Sequence, residues 1–273
     1  MGIEKMEAIV MRTFPFGDTS RIAHLFSVER GRVHVLAKGV RGPRGRFGAA
    51  LEPFTRIGAV IYYKNGRDLQ FLSQAEILGR RPVLGNSLLR FAYAGAVLEL
   101  LDQALAGEEP PGPLFTLIDA ALSALEAVPE DGIRASFMGY IAGLLHVLGY
   151  RPELVDCVGC NRANGNGSRG NGKKVSAPTS ETPDARSGLF WSALRGGLLC
   201  ERCATTEPTA APLSADCRAG LAALLGGNLP SSLPRPLGDE MARTLDGFLR
   251  AHLPRYRGLR SLKVIRELTA AAT

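Results

Sequence analysis

The stretch Phe54-Thr55-Arg56-Ile57-Gly58-Ala59-Val60-Ile61-Tyr62-Tyr63-Lys64-Asn65-Gly66-Arg67-Asp68-Leu69-Gln70-Phe71-Leu72 decides the N-terminal fold. Val, Ile and Tyr fill its first half, Asn65-Gly66 is a turn pair that tolerates positive φ, and Leu69–Ile77 supplies a returning strand. Working outward toward the N terminus, Ala8-Ile9-Val10-Met11 and Ile22–Val28 are short apolar runs. Gly31–Lys38 alternates, with Val33, Val35 and Ala37 on one face. Five short strands with a Gly- and Arg-rich loop between the third and fourth close most economically into a small barrel. An OB-fold has that size and strand count. An SH3-like barrel meets it too, since strand count does not fix topology.

Beyond about Pro82 the period changes. Leu88, Leu89, Ala92, Ala96, Leu100 and Leu101 recur at helical spacing behind Ser87, a side chain suited to an N-cap. Further helices are expected over roughly 114–128, 133–148, 214–225, 238–252 and 258–268. The last carries Leu259, Leu262, Ile265 and Leu268 as its apolar stripe. The first ones are apolar around much of their circumference and should pack together as a bundle core.

Two Cys-x-x-Cys pairs, Cys157/Cys160 and Cys200/Cys203, interrupt this helical part. Each pair has the turn spacing that lets two thiolates share one ion, and two pairs complete a tetrahedral set. Four sulfur ligands suit zinc, or less often an iron–sulfur cluster. No position is left for water, so such a metal holds structure and does no chemistry. A pair of disulfides or a redox Cys-x-x-Cys is the competing reading. The N-terminal segment shows no apolar signal region, and five cysteines then fit a reducing cytosol, which favours the metal. Residues 161–187, rich in Asn, Gly and Ser, read as a flexible excursion between the pairs. Cys217 is left over and reads as a small buried hydrophobe.

The expected fold class is therefore α+β. An N-terminal small β-barrel over 1–81, of OB-fold or SH3-like topology, precedes an all-helical domain over 82–273, with an inserted four-cysteine metal module at 150–206.

The net charge of +7, with 45% apolar and 22% charged residues, favours a polyanionic partner for a protein with a real core. Arg32, Lys38, Arg41, Arg44 and Arg46 stand between Gly31 and Leu51 with no carboxylate among them. Interleaved glycines let that backbone approach a ligand closely. With Lys64 and Arg67 beside the Asn65-Gly66 turn, these are the candidate nucleic-acid contacts, because single strands need cations for phosphates and aromatic faces for bases. Candidate stacking residues are Phe14, Phe16, Phe47, Tyr62, Tyr63 and Phe71. Strand alternation forbids Tyr62 and Tyr63 from facing the ligand together. Near the C terminus, Arg250, Arg255, Arg257, Arg260, Lys263 and Arg266 lie beside the apolar stripe, a combination suited to an acidic peptide tail. No phosphate-binding Gly-x-x-x-x-Gly-Lys-Ser/Thr loop, no His-Glu-x-x-His and no Gly-x-Ser-x-Gly elbow is present, and His24, His34, His146 and His252 read as structural. The chain reads as a non-enzyme. No apolar run is long enough to span a membrane.

Taken in order, Glu7–Arg12, Gly31–Gly42 with its Ala37-Lys38-Gly39 centre, Glu52-Pro53-Phe54, the two cysteine pairs with Gly196–Leu199 before the second, and Leu259–Lys263 resemble the bacterial recombination mediator family RecO. The likeness is nearly end to end, although 161–187 departs from a compact metal segment. The resemblance implies an OB domain, a helical domain and a structural zinc ion. It implies binding to single- and double-stranded DNA and annealing of complementary strands. It also implies partnership with RecR and with the acidic C-terminal tail of the single-stranded DNA-binding protein SSB, so that RecA loads during repair. The tail would meet Leu259, Arg260, Leu262 and Lys263. A cytoplasmic, nucleoid-associated location follows. The alternatives from other classes are a zinc-containing OB-fold protein that binds structured RNA and, more remotely, a hydrolase.

Overall fold

The computed structural model describes residues 2–40, 47–105, 107, 111–162 and 188–264. Five strands come first: β1 (Gly2–Phe16), β2 (Ser20–Ser27), β3 (Gly31–Ala37), β4 (Arg56–Tyr63) and β5 (Leu69–Gly79). β1 is far longer than its apolar run, because it serves two partners. Its first half pairs with β4 (Gly2↔Tyr63 to Ile9↔Arg56) and its second with β2 (Ala8↔Ser27 to Phe16↔Ser20). A register shift between Val10 and Arg12 turns the strand from one to the other. β3 pairs antiparallel with β2 and parallel with β5, and β5 returns to β4. The sheet, in the order β1-β2-β3-β5-β4, thus closes on itself and leaves no edge. Its interior is filled by alternate residues, among them Val10, Leu25, Val33, Val35, Ile57 and Ile61.

Four helices follow: α1 (Pro82–Asn86), α2 (Leu88–Ala104), α3 (Pro111–Ala127) and α4 (Ile133–Val147). Ser87 caps α2, its hydroxyl accepting from Arg90 N at 3.4 Å. After the cysteine segment come β6 (Leu189–Ser192), β7 (Gly197–Leu199), α5 (Glu201–Ala204), β8 (Ala211–Leu213), α6 (Ala215–Leu225) and α7 (Arg235–His252), then a helical turn over 260–264. The expectation of an all-helical second part is corrected here: β7-β6-β8 form a three-stranded sheet. Those strands are only three or four residues long, too short for alternation to register in the sequence, and are fixed by pairing.

The helices share one core, and two residues of the closed sheet and one from the turn before β4 belong to it. Ile9 and Phe26, which point outward from the sheet, and Phe54 are buried among Leu84, Val97, Leu101, Leu114 and Ile118. Each contributes about 1.5–3 kcal/mol by leaving water. Two carboxylates fasten the same junction. Asp119 of α3 binds both Arg56 and Arg81, and the Arg81 side chain is only 7% exposed. Asp102 of α2 binds Arg12 (3.3 Å) and Arg32 (3.4 Å).

Candidate metal centre and nucleic-acid face

The four predicted ligand cysteines converge. Cys157 and Cys160 bracket a turn after α4, Cys200 follows β7, and Cys203 sits in α5. Their sulfurs all lie within 4.8 Å of one another, and Cys160 Sγ is 3.8 Å from Cys200 Sγ. Tetrahedral coordination at a zinc–sulfur distance of about 2.3 Å needs sulfur–sulfur edges of about 3.8 Å, so the donor set fits a single ion. No disulfide joins any of them. The turn demands a glycine at 159, where a Cβ would come 2.9 Å from the Cys203 sulfur. Burial alone would push the Cys157 thiol up, but the backbone N–H groups of Cys200 (3.3 Å), Gly159 and Cys160 converge on it and bring it down to about 6. Cys203 is pushed up to about 12, first by hydrogen bonding with the Cys200 thiol and then by burial. A bound cation would replace those shared protons.

The small sheet carries this cluster onto α7. Trp191 of β6 packs on Phe248 with ring centroids 6.2 Å apart, and His252 Nε2 meets the Ala193 carbonyl at 2.9 Å. Gly197 bridges to Glu153, which ties the two cysteine segments together. The expected flexible excursion falls largely on 163–187, outside the described residues.

The outer face of the closed sheet is covered at its Phe26 end by helices and open at its Phe14 end, where Phe14 is 44% exposed. Register organises this face into two rows. One runs Arg12↔His24↔His34↔Leu69 across β1, β2, β3 and β5. The other runs Phe14↔Ile22↔Leu36↔Phe71↔Tyr62 and reaches β4. Two residues along a strand separate them, about 7 Å. The first row centres on Arg12 and the two histidines, and the second is apolar and aromatic. Lys38 Nζ lies 5.1 Å and Arg67 Cζ 4.8 Å from the Phe71 ring centroid, both exposed. Lys64 is exposed as well, its backbone held by the Gln70 side chain. Arg32 is turned away to Asp102 and the Leu105 carbonyl, where it joins sheet to helices. Arg41, Arg44 and Arg46 lie outside the described residues.

Among the aromatic candidates, Tyr62 faces out at 39% exposure, while Tyr63 packs against the sheet interior and under Arg30, as alternation required. Phe47 also packs inward. Phe16 is half exposed beyond the rows. Sequence reasoning missed Arg12, His24 and His34, because only cross-strand register puts them side by side.

A cleft of about 670 Å³ lies between α4, α7 and the C-terminal segment. Leu259, Leu262 and Lys263 line it together with Arg134, Arg243 and Arg250. Arg260 does not line it. Its backbone N–H donates to Glu99 Oε1 (3.0 Å), while Ser261 N and Oγ donate to Glu99 Oε2. Gln103 accepts from Arg257 N and donates to the Gly258 carbonyl. Gly95, Glu99 and Gln103, spaced four apart on α2, therefore form the seat of this segment, and a Cβ at Gly95 would press to 3.2 Å from Ser261 Oγ. Ile265 and Leu268 lie outside the described residues.

Comparison with known proteins agrees along most of the chain. Residues 1–81 match the family "Recombination protein O N terminal", and 85–263 match "Recombination protein O C terminal". The DNA repair protein RecO of Anaeromyxobacter dehalogenans (strain 2CP-C) is 33% identical over 255 residues, 92% of each chain. That of Symbiobacterium thermophilum is 30% identical over 253 residues, covering 93% of this chain and 92% of its own. That of Pelobacter propionicus is 42% identical over 157 residues, 58% of this chain and 63% of its own.

Proposed function

Because the chain belongs to the RecO family, whose role is in DNA repair and recombination, we propose that it is a recombination mediator acting as a binding scaffold without a catalytic centre. It binds single- and double-stranded DNA, anneals complementary strands and, with RecR, helps RecA load on strands coated with SSB. The observation that carries this reading is the open sheet face, where Lys38 and Arg67 flank the Phe71 ring in one row with Phe14 and Tyr62, setting cations for phosphates beside aromatic faces for bases. The closed five-stranded sheet works as an OB-fold, whose strands 2 and 3 present a ligand face in this way. Lys38, Lys64 and Arg67 meet phosphates, with Arg41, Arg44 and Arg46 joining them from the sequence between β3 and β4. Tyr62, Phe71 and Phe14 offer faces to unpaired bases, worth about 1–3 kcal/mol per stacked base.

Annealing then needs no reacting group. Two strands repel, and a cationic surface holding both lowers that penalty while their bases find partners. The cleft suits the acidic tail of SSB: Arg134, Arg243, Arg250 and Lys263 meet its carboxylates, and Leu259 and Leu262 meet its apolar end. Zinc is the ion that the four sulfurs best fit, supplying a cross-link between two chain segments when bound. Among the described residues no helix is long and apolar enough to cross a membrane, and the proposed site of action is the cytoplasm, on the nucleoid.

The test is annealing of complementary oligonucleotides coated with SSB, with and without its acidic tail. Acceleration that depends on the tail is the expected result. Equal rates on both coats would reduce the protein to a generic basic annealer, and no acceleration on bare strands would end the reading.

A further inference from the structure

His24 and His34 oppose each other on β2 and β3 with ring centroids 4.0 Å apart and planes at 25°. Stacked imidazoles at that distance cannot both be charged without strong repulsion. The groups facing them come from every neighbouring element: Arg12 on β1, Arg32 on β3, Asp102 on α2 and Asp68 before β5. Phe14 closes the outer side, edge-on to His24 at 5.3 Å. Arg12 Nε donates to His24 Nδ1 at 3.1 Å, so neutral His24 carries its proton on Nε2. Burial, then His34 and Arg12, hold His24 down at about 4, and burial followed by Arg12 holds His34 below its ordinary value. At neutral pH the free protein therefore keeps both rings uncharged beside Arg12.

A proton can enter His24 only at Nδ1, the atom that Arg12 now occupies. A phosphate at this row would accept from Arg12 and from a protonated Nδ1 together, giving the guanidinium a new partner while its other arm stays on Asp102 (3.3 Å). The added anion also favours the charged imidazole. Resting on the reading of this face as a single-strand site, we propose that the His24–His34 pair is a proton-linked phosphate subsite: a single strand binds there together with a proton drawn from solvent, so its affinity rises as pH falls. By reciprocity the bound strand raises the affinity of the pair for that proton.

The test is binding of oligo(dT), whose bases do not titrate in this range, by fluorescence anisotropy between pH 7.5 and 5.5 at constant ionic strength. Calorimetry in two buffers of different ionisation enthalpy would count the protons. One proton bound with the strand allows up to tenfold per pH unit, and we expect at least tenfold tightening across the range with net proton uptake. His24→Gln/His34→Gln, checked for an unchanged melt at pH 7.5, should change less than twofold. His34→Gln alone provides a milder variant should the double one fail to fold. A wild-type affinity independent of pH, or an equal rise in both variants, would overturn the subsite and leave the DNA reading standing. Failure to bind at any pH would overturn both.

Discussion

The two cationic faces differ in how their charges are held. On the sheet face Lys38 and Arg67 lie over Phe71, and among the described residues neither has a carboxylate within ion-pair distance. In the cleft, Arg134 is paired with Asp239, and Asp246 holds both Arg250 Nε (2.7 Å) and Tyr256 Oη (2.7 Å). Cations on loose stems suit a repeating polymer that can be gripped in many registers, at the cost of strong salt dependence. Cations braced by carboxylates lose net charge but keep their positions, which suits one short peptide in one pose. On the proposed reading, one surface suits a polymer held in many registers and the other a single docked tail.

The largest effect should come from Cys200→Ser, since a structural zinc site can contribute about 10–16 kcal/mol in small peptides. Metal analysis should read loss of the ion and calorimetry a large fall in melting temperature. Because the cluster leans on α7, tail-peptide binding should fail before oligonucleotide binding; an unchanged melt would remove the metal from the fold. Asp119→Ala leaves Arg56 and Arg81 without their shared carboxylate and should cost about 3 kcal/mol in urea unfolding. Both faces should keep their affinities in the folded fraction, which separates stability from binding.

Lys38→Glu/Arg67→Glu should weaken single-strand binding by well over tenfold and flatten its log–log salt slope by about 0.7 per lost contact, while tail binding stays within twofold. Arg243→Glu/Lys263→Glu should do the reverse, about tenfold against an acidic peptide and little against oligo(dT). If either double variant damages both activities equally, the two faces are one site. The smallest effect expected is Tyr62→Ala, about 1 kcal/mol on single strands and none on duplex.

Much of this was legible in the chain. The turn at Asn65-Gly66, the strand periods, the Ser87 cap, the helix at Ile133 and the two cysteine pairs all depend on neighbours within a few residues. So does the opposition of Tyr62 and Tyr63. The cysteine cluster was readable because a chelating turn has a fixed spacing, whichever fold surrounds it. The small sheet was not, since three-residue strands carry too few side chains to show a period.

What only the tertiary structure decided is who meets whom across long separations. Register on the closed sheet aligns Arg12 with His24 and His34, and a shift of one residue at Val10 would have turned those side chains to the interior. Asp102, Asp119 and Glu99 look like ordinary helix-surface acids until Arg12, Arg81 and Ser261 arrive at them. Periodicity and turn chemistry are local and therefore written in the sequence. Pairing partners are settled by closure of the sheet and packing of its outer face on the helices, and these depend on the whole chain at once.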